Sequence, residues 1–129
     1  MATMAKAKSG LDLHPLWAER FNAGDIDGLV SLYEPDAVMR PEPGQTAAGL
    51  DEIRGVLQGF LTLNATFEMQ STDMLKSGDI ALLYTKWTLK GTDPEGKPLE
   101  MAGTTSDVAR RQSDGSWLYV IDSPFGGNV

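Results

Sequence analysis

Cysteine is absent from this chain, and histidine occurs once, at position 14. The first absence excludes disulfides and thiol chemistry. The second excludes a multi-histidine metal site, and no dense acidic loop offers a carboxylate cage for Mg or Ca instead. Positive charge is also scarce: eleven Lys and Arg stand against eighteen Asp and Glu, a net charge of −7. No basic stripe carries interleaved aromatics, so nucleic acid is not an expected partner. The apolar runs are too short to span a bilayer, so no membrane partner is expected either. Met1 to Gly10 is small and polar and lacks an apolar signal core. It is expected to be a disordered tail, 1–10, ahead of one domain, 11–129, with the cytoplasm as the default location. The 129 residues suffice to bury a core without staples.

What is present is periodicity. Leu13, Leu16, Trp17 and Phe21, with the stem of Arg20, recur at helical spacing. Asn22-Ala23-Gly24 stops that helix, and Asp25 is a natural N-cap for the next. Ile26, Leu29, Val30 and Tyr33 make a second stripe, ended by Pro35-Asp36, after which Ala37-Val38-Met39 runs extended. Residues 40–49 are rich in breakers and read as a loop. A third helix follows, with Asp51 and Glu52 in its first turn, where the macrodipole favours them. Its stripe is Ile53, Val56, Leu57, Phe60 and Leu61.

After Asn64 the period becomes two. Strands are predicted over about 65–76, 79–91, 98–112 and 116–123, joined by Gly-containing turns that imply antiparallel hairpins. Alternation puts Leu83, Thr85, Trp87 and Leu89 on one face of the second strand. It puts Leu118, Val120 and Asp122 together in the last. Both faces of both strands are apolar, whereas helices cover only one. The other face therefore predicts a homodimer through the outer sheet face.

The runs FNAGDIDGLVSLYEPDAV, GLDEIRGVLQGF and RRQSDGSWLYVIDSPF carry a resemblance covering about residues 11–126. They are similar to SnoaL-like and ketosteroid isomerase-like proteins of the nuclear transport factor 2-like (cystatin-like) superfamily. The resemblance implies an α+β fold, a cone-shaped roll of three N-terminal helices packed on a curved, mostly antiparallel β-sheet. The ligand pocket lies between the two layers. The superfamily mixes isomerases, cyclases, dehydratases and binding modules, so fold alone does not give a reaction.

Against the ketosteroid isomerase pattern, three positions depart. Pro41 stands where the base would be, Trp17 at the tyrosine and Ser106 at the protonated acid. Proline abstracts no proton, and an indole N–H donates without changing protonation state. Steroid isomerisation by that mechanism is therefore not expected. Asp122 is the candidate acid or base instead, because a carboxyl in apolar surroundings has its pKa raised. Glu42, one residue beyond the lost base position, is a second candidate if a bulge turns it inward. The predicted pocket lining is Trp17, Phe21, Met39, Leu57, Phe60, Thr85, Trp87, Ser106 and Val120. Asp107 is expected to point away, and His14 to sit exposed or capping at a helix start. No metal site and no cofactor are expected. The expected function is binding of a small, mainly apolar molecule in the cone, with cofactor-free acid–base chemistry of isomerase, cyclase or hydratase type. The alternative is a non-catalytic ligand-binding or dimerisation module.

Overall fold

The computed structural model describes residues 5–126, apart from the side chains of residues 71 and 72. A 3-10 turn at Gly10–Asp12 leads into helix α1, Leu13–Asn22. Asn22 closes α1 and reaches across to the sheet, where its side chain both accepts from Phe67 N and donates to Phe67 O. Helix α2 spans Ile26–Val30, and the Asp25 side chain caps it by accepting from Gly28 N at 3.0 Å. Only glycine fits at position 28, because a Cβ there would stand 2.2 Å from Asp25 Oδ2. Helix α3, Leu50–Leu61, lays Ile53 and Leu57 into the core.

The second helix ends three residues earlier than its apolar stripe suggests. Tyr33 opens strand β1, Tyr33–Met39, rather than completing α2. The breaker-rich loop contains a two-residue strand, β2, Ala47–Ala48, which pairs with the end of β1. Strands β3, Thr66–Ser77, and β4, Ile80–Thr92, form the long hairpin the alternation predicts. The third predicted strand is split into β5, Pro98–Thr104, and β6, Asp107–Arg111. β5 pairs with the second half of β4 and β6 with the first, so the break at Thr105-Ser106 lets the sheet curl. Strand β7, Trp117–Asp122, pairs antiparallel with β6 and parallel with β1. The sheet order is β2-β1-β7-β6-β4-β3, with β5 alongside β4.

The inner face buries Ala81, Leu83, Thr85, Trp87 and Leu89 beneath the helices. The alternation in β4 therefore reads as expected, while that in β7 does not. Tyr119 pairs with Ala109 and Ile121 with Val108, leaving Val120 as the extra residue of a bulge. Trp117 and Tyr119 consequently point inward, and the bulge brings Asp122 inward after them. The expectation that Leu118 and Val120 share its face is corrected: both are half-buried outside it. On the outer face an apolar row crosses five strands in register, Leu75, Leu82, Val108, Ile121 and Val38. Leu75 is 62% exposed and Ile121 45%.

Residues 5–10, part of the expected tail 1–10, make contacts with the domain. Ala7 is buried, its carbonyl accepts from Trp117 N, and the buried Arg20 guanidinium holds the Ala5 carbonyl. Residues 1–4 lie outside the described part. Among the described residues no helix is long and apolar enough to cross a membrane.

Candidate functional site

The cone between helices and sheet is lined by aromatic rings in continuous contact. Trp17 stacks on Phe21 at 5.1 Å and meets Phe67 edge-on at 4.7 Å. Phe67 stacks on Trp87 at 5.6 Å, and Trp87 meets Phe125 at 5.5 Å. Helical spacing from α1 and alternation along β3 and β4 bring these rings together. Trp87 lies flat against Gly103 of β5, where a Cβ would stand 3.0 Å from the indole, and its Nε1 donates to Pro124 O at 2.7 Å. Met39, Leu57, Phe60 and Met101 complete the apolar wall. The cavity volume is about 60 Å³, and about 630 Å³ when the space out to the open mouth is included.

Polar groups converge at one end, from four elements. His14 Nε2 lies 2.6 Å from Asp107 Oδ2, with both side chains buried. Asp107 Oδ1 accepts from Ser123 N at 2.8 Å. A carboxylate carries no hydrogen, so Nε2 is the donor in the contact with His14. His14 Nδ1 is buried and has no hydrogen-bond partner among the described residues. Orphaned buried polar atoms are rare and call for an occupant.

Asp122 stands beside this pair. Its Oδ2 accepts from the Tyr33 hydroxyl at 2.5 Å, and the Tyr33 oxygen accepts from Trp17 Nε1 at 2.9 Å. An indole can only donate, so the Tyr33 hydrogen is directed at Asp122. Burial pushes the Asp122 carboxyl well above the ordinary aspartate range. The negative charge of Asp107 adds to this, and the Tyr33 bond opposes it. Burial likewise raises the Tyr33 hydroxyl, helped by Asp122, and the Tyr119 hydroxyl, helped by Asp107.

Of the residues singled out from sequence, Trp17, Phe21, Met39, Leu57, Phe60, Trp87 and Asp122 line this cavity. Thr85, Ser106 and Val120 do not. Thr85 is buried on the inner face, but its backbone pairs with Thr105 beside the β5–β6 break. Ser106 is taken up by the same break, its N donating to Ser123 O, and the bulge turns Val120 aside. Glu42 is exposed in the loop after β1 and lies outside the cavity. Pro41 does line it.

Two further expectations are reversed. Asp107, expected to point away, is fully buried and lines the cavity, because the break turns it inward in place of Ser106. His14, expected to be exposed or capping, is 4% exposed in the first turn of α1. Its signal was present: positions 14, 17 and 21 follow helical spacing and share the pocket-facing stripe. Tyr33 left no such signal, since its spacing fits α2 equally well. Among the described residues no group of three or more His, Cys, Asp or Glu could hold a metal ion.

Helices over a curled open sheet, with an aromatic-lined cavity between them, define an α+β fold. The SnoaL-like domain family matches residues 16–120, and the chain belongs to that family. Among solved structures, a nuclear transport factor 2-like superfamily protein from Salmonella enterica is 13% identical, with a TM-score of 0.78 over 92% of this chain and 87% of the other. A candidate scytalone dehydratase from Novosphingobium aromaticivorans is 15% identical, with a TM-score of 0.78 over 88% of this chain and 78% of the other. A candidate calcium/calmodulin dependent protein kinase II association domain from Xanthomonas campestris is 24% identical, with a TM-score of 0.75 over 96% of each chain. At these identities the likeness concerns the fold. No curated protein matches the chain.

Proposed function

We propose that this protein is a cofactor-free acid–base enzyme, of isomerase, cyclase or dehydratase type, acting on a compact and mainly apolar molecule. The observation that carries this reading is the buried His14–Asp107 contact of 2.6 Å with the other imidazole nitrogen unpartnered. In this reading His14 is the base. Its Nδ1 takes a proton from the substrate, while Asp107 is a positioning residue that fixes the tautomer and faces the imidazolium that forms. Asp122, kept neutral by burial, is the acid and gives its proton to the oxygen on which charge develops. The apolar walls exclude water and strengthen both interactions.

That some of the solved structures of this fold are described as dehydratases accords with the reading. Pro41 and Ser106 stand where steroid isomerisation would need a base and an acid, so the chemistry here runs through His14 instead.

The test is the tautomer of His14, read from its ring-nitrogen chemical shifts near neutral pH. Hydrogen on Nε2 and a bare Nδ1 are expected, and hydrogen on Nδ1 overturns the assignment. The functional readout is deuterium uptake from heavy water into compact cyclic ketones and enones. It should be lost in His14→Gln.

A further inference from the structure

Tyr119 lines the polar end of the cone and is 1% exposed, yet its hydroxyl makes no hydrogen bond among the described residues. The oxygens around it are bonded. Asp107 holds His14 and the Ser123 amide, Tyr33 stands between Trp17 and Asp122, and Thr105 Oγ1 accepts from Thr85 N. Packing fixes the Tyr119 ring, with His14 edge-on at 5.6 Å and Tyr33 tilted against it at 5.1 Å. Burial and the charges of Asp107 and Asp122 keep the hydroxyl protonated, so at neutral pH the group is a donor. A buried hydroxyl left unpaired costs free energy, which an incoming acceptor recovers.

Charge and size limit what that acceptor is. Two carboxyl groups line the cavity and, among the described residues, no lysine or arginine does, so an anionic head is repelled. The cavity proper, about 60 Å³, is smaller than the roughly 150 Å³ that holds a benzene ring. It takes a head of a few heavy atoms, and the body of the molecule stays in the wider space toward the mouth. We propose that the molecule taken up here carries a neutral carbonyl oxygen at a narrow end, and that Tyr119 receives it by donating its hydroxyl hydrogen. This rests on the reading of the cavity as the substrate site and specifies the head group and the residue that binds it.

Tyr119 keeps its proton throughout. Its hydrogen bond strengthens as charge develops on the carbonyl oxygen, while the proton that transfers comes from Asp122. Binding therefore leaves Asp122 neutral and its contacts with Tyr33 and Asp107 in place.

The experiment titrates three probes of one shape into the full chain near neutral pH: acetophenone, α-methylstyrene, which has a methylene in place of the carbonyl oxygen, and benzoate. Binding is followed by calorimetry and by the indole resonances of Trp17 and Trp87. Acetophenone is expected to bind roughly tenfold tighter than α-methylstyrene, the worth of one hydrogen bond, and benzoate not to bind. The carbonyl-carbon resonance of labelled acetophenone should move downfield on binding. Tyr119→Phe keeps the ring and its packing, so it should fold with near wild-type stability, bind the two neutral probes equally and lose that shift. A variant markedly less stable than wild type means that the hydroxyl is already bonded in the free protein, and overturns the proposal. So does α-methylstyrene binding as tightly as acetophenone to wild type while moving the indole resonances, which leaves the cavity a ligand site without this head group. No perturbation of either indole by any probe overturns the reading of the cavity as a ligand site as well.

Discussion

Replacing Asp122 by asparagine should stabilise this protein, and increasingly so as pH rises. The amide is a near-isostere that keeps both hydrogen bonds: its oxygen accepts from Tyr33, and its nitrogen donates toward Asp107. What it removes is an ionisable group. The folded-state pKa of Asp122 is raised above the unfolded value, so the protonated form is favoured in the fold. Its contribution is fully present below the ordinary aspartate value of about 3.9 and is lost progressively as pH rises through the folded value. Within that window the group removes about 1.4 kcal/mol of stability per pH unit from wild type and nothing from the variant. Because Asp122 is buried, solvent screening does not weaken the effect. Urea unfolding of both proteins from about pH 4 to about pH 8 reads the difference directly. The difference should be near zero at the acid end, rise with that slope and level off at the folded pKa. A difference that stays flat with pH, or a variant less stable at neutral pH, refutes the claim that burial holds Asp122 neutral.

His14→Ala leaves Asp107 buried without its imidazole partner, and urea unfolding should show a loss of about 3–5 kcal/mol; a loss below about 1 kcal/mol would mean that water reaches and satisfies the carboxylate. Trp87→Ala should cost roughly 3–5 kcal/mol, since the ring packs between Phe67 and Phe125 and only 5% of it is exposed. Tyr33→Phe strips the acceptor from Trp17 and the donor from Asp122, which should cost about 1–3 kcal/mol in the same assay. We propose that the apolar row of the outer face pairs two copies of the chain, so light scattering should give twice the chain mass at micromolar concentration. Ile121→Asp should halve it; a monomeric wild type refutes the pairing.

Much of the fold was legible because it rests on periodicity. The α1 and α3 stripes, the Asp25 cap and the β3–β4 hairpin follow from spacing and turn chemistry alone. The site was legible only in part, since its polar members depend on irregularities that spacing does not encode. A break at Thr105-Ser106 exchanges Ser106 for Asp107, and one extra residue at Val120 exchanges its neighbours for Tyr119. Asp122 was found although the faces of its neighbours were not, because the bulge that turns Leu118 and Val120 aside returns the strand-end acid to the pocket side. Tyr33 was hidden because it follows Leu29 by four positions and Val30 by three, a helical spacing that the first residue of a strand satisfies equally well.

The contacts that make the polar end join the two ends of the chain. His14 and Asp107 are 93 positions apart, and Tyr33 and Asp122 are 89 apart. β1 also pairs parallel with β7, a connection that encloses nearly all of the intervening chain. Closing such loops is slow, and folds dominated by non-local pairings reach the native state in about milliseconds to seconds. The acid and the base therefore cannot meet before the last strand has emerged from the ribosome and docked.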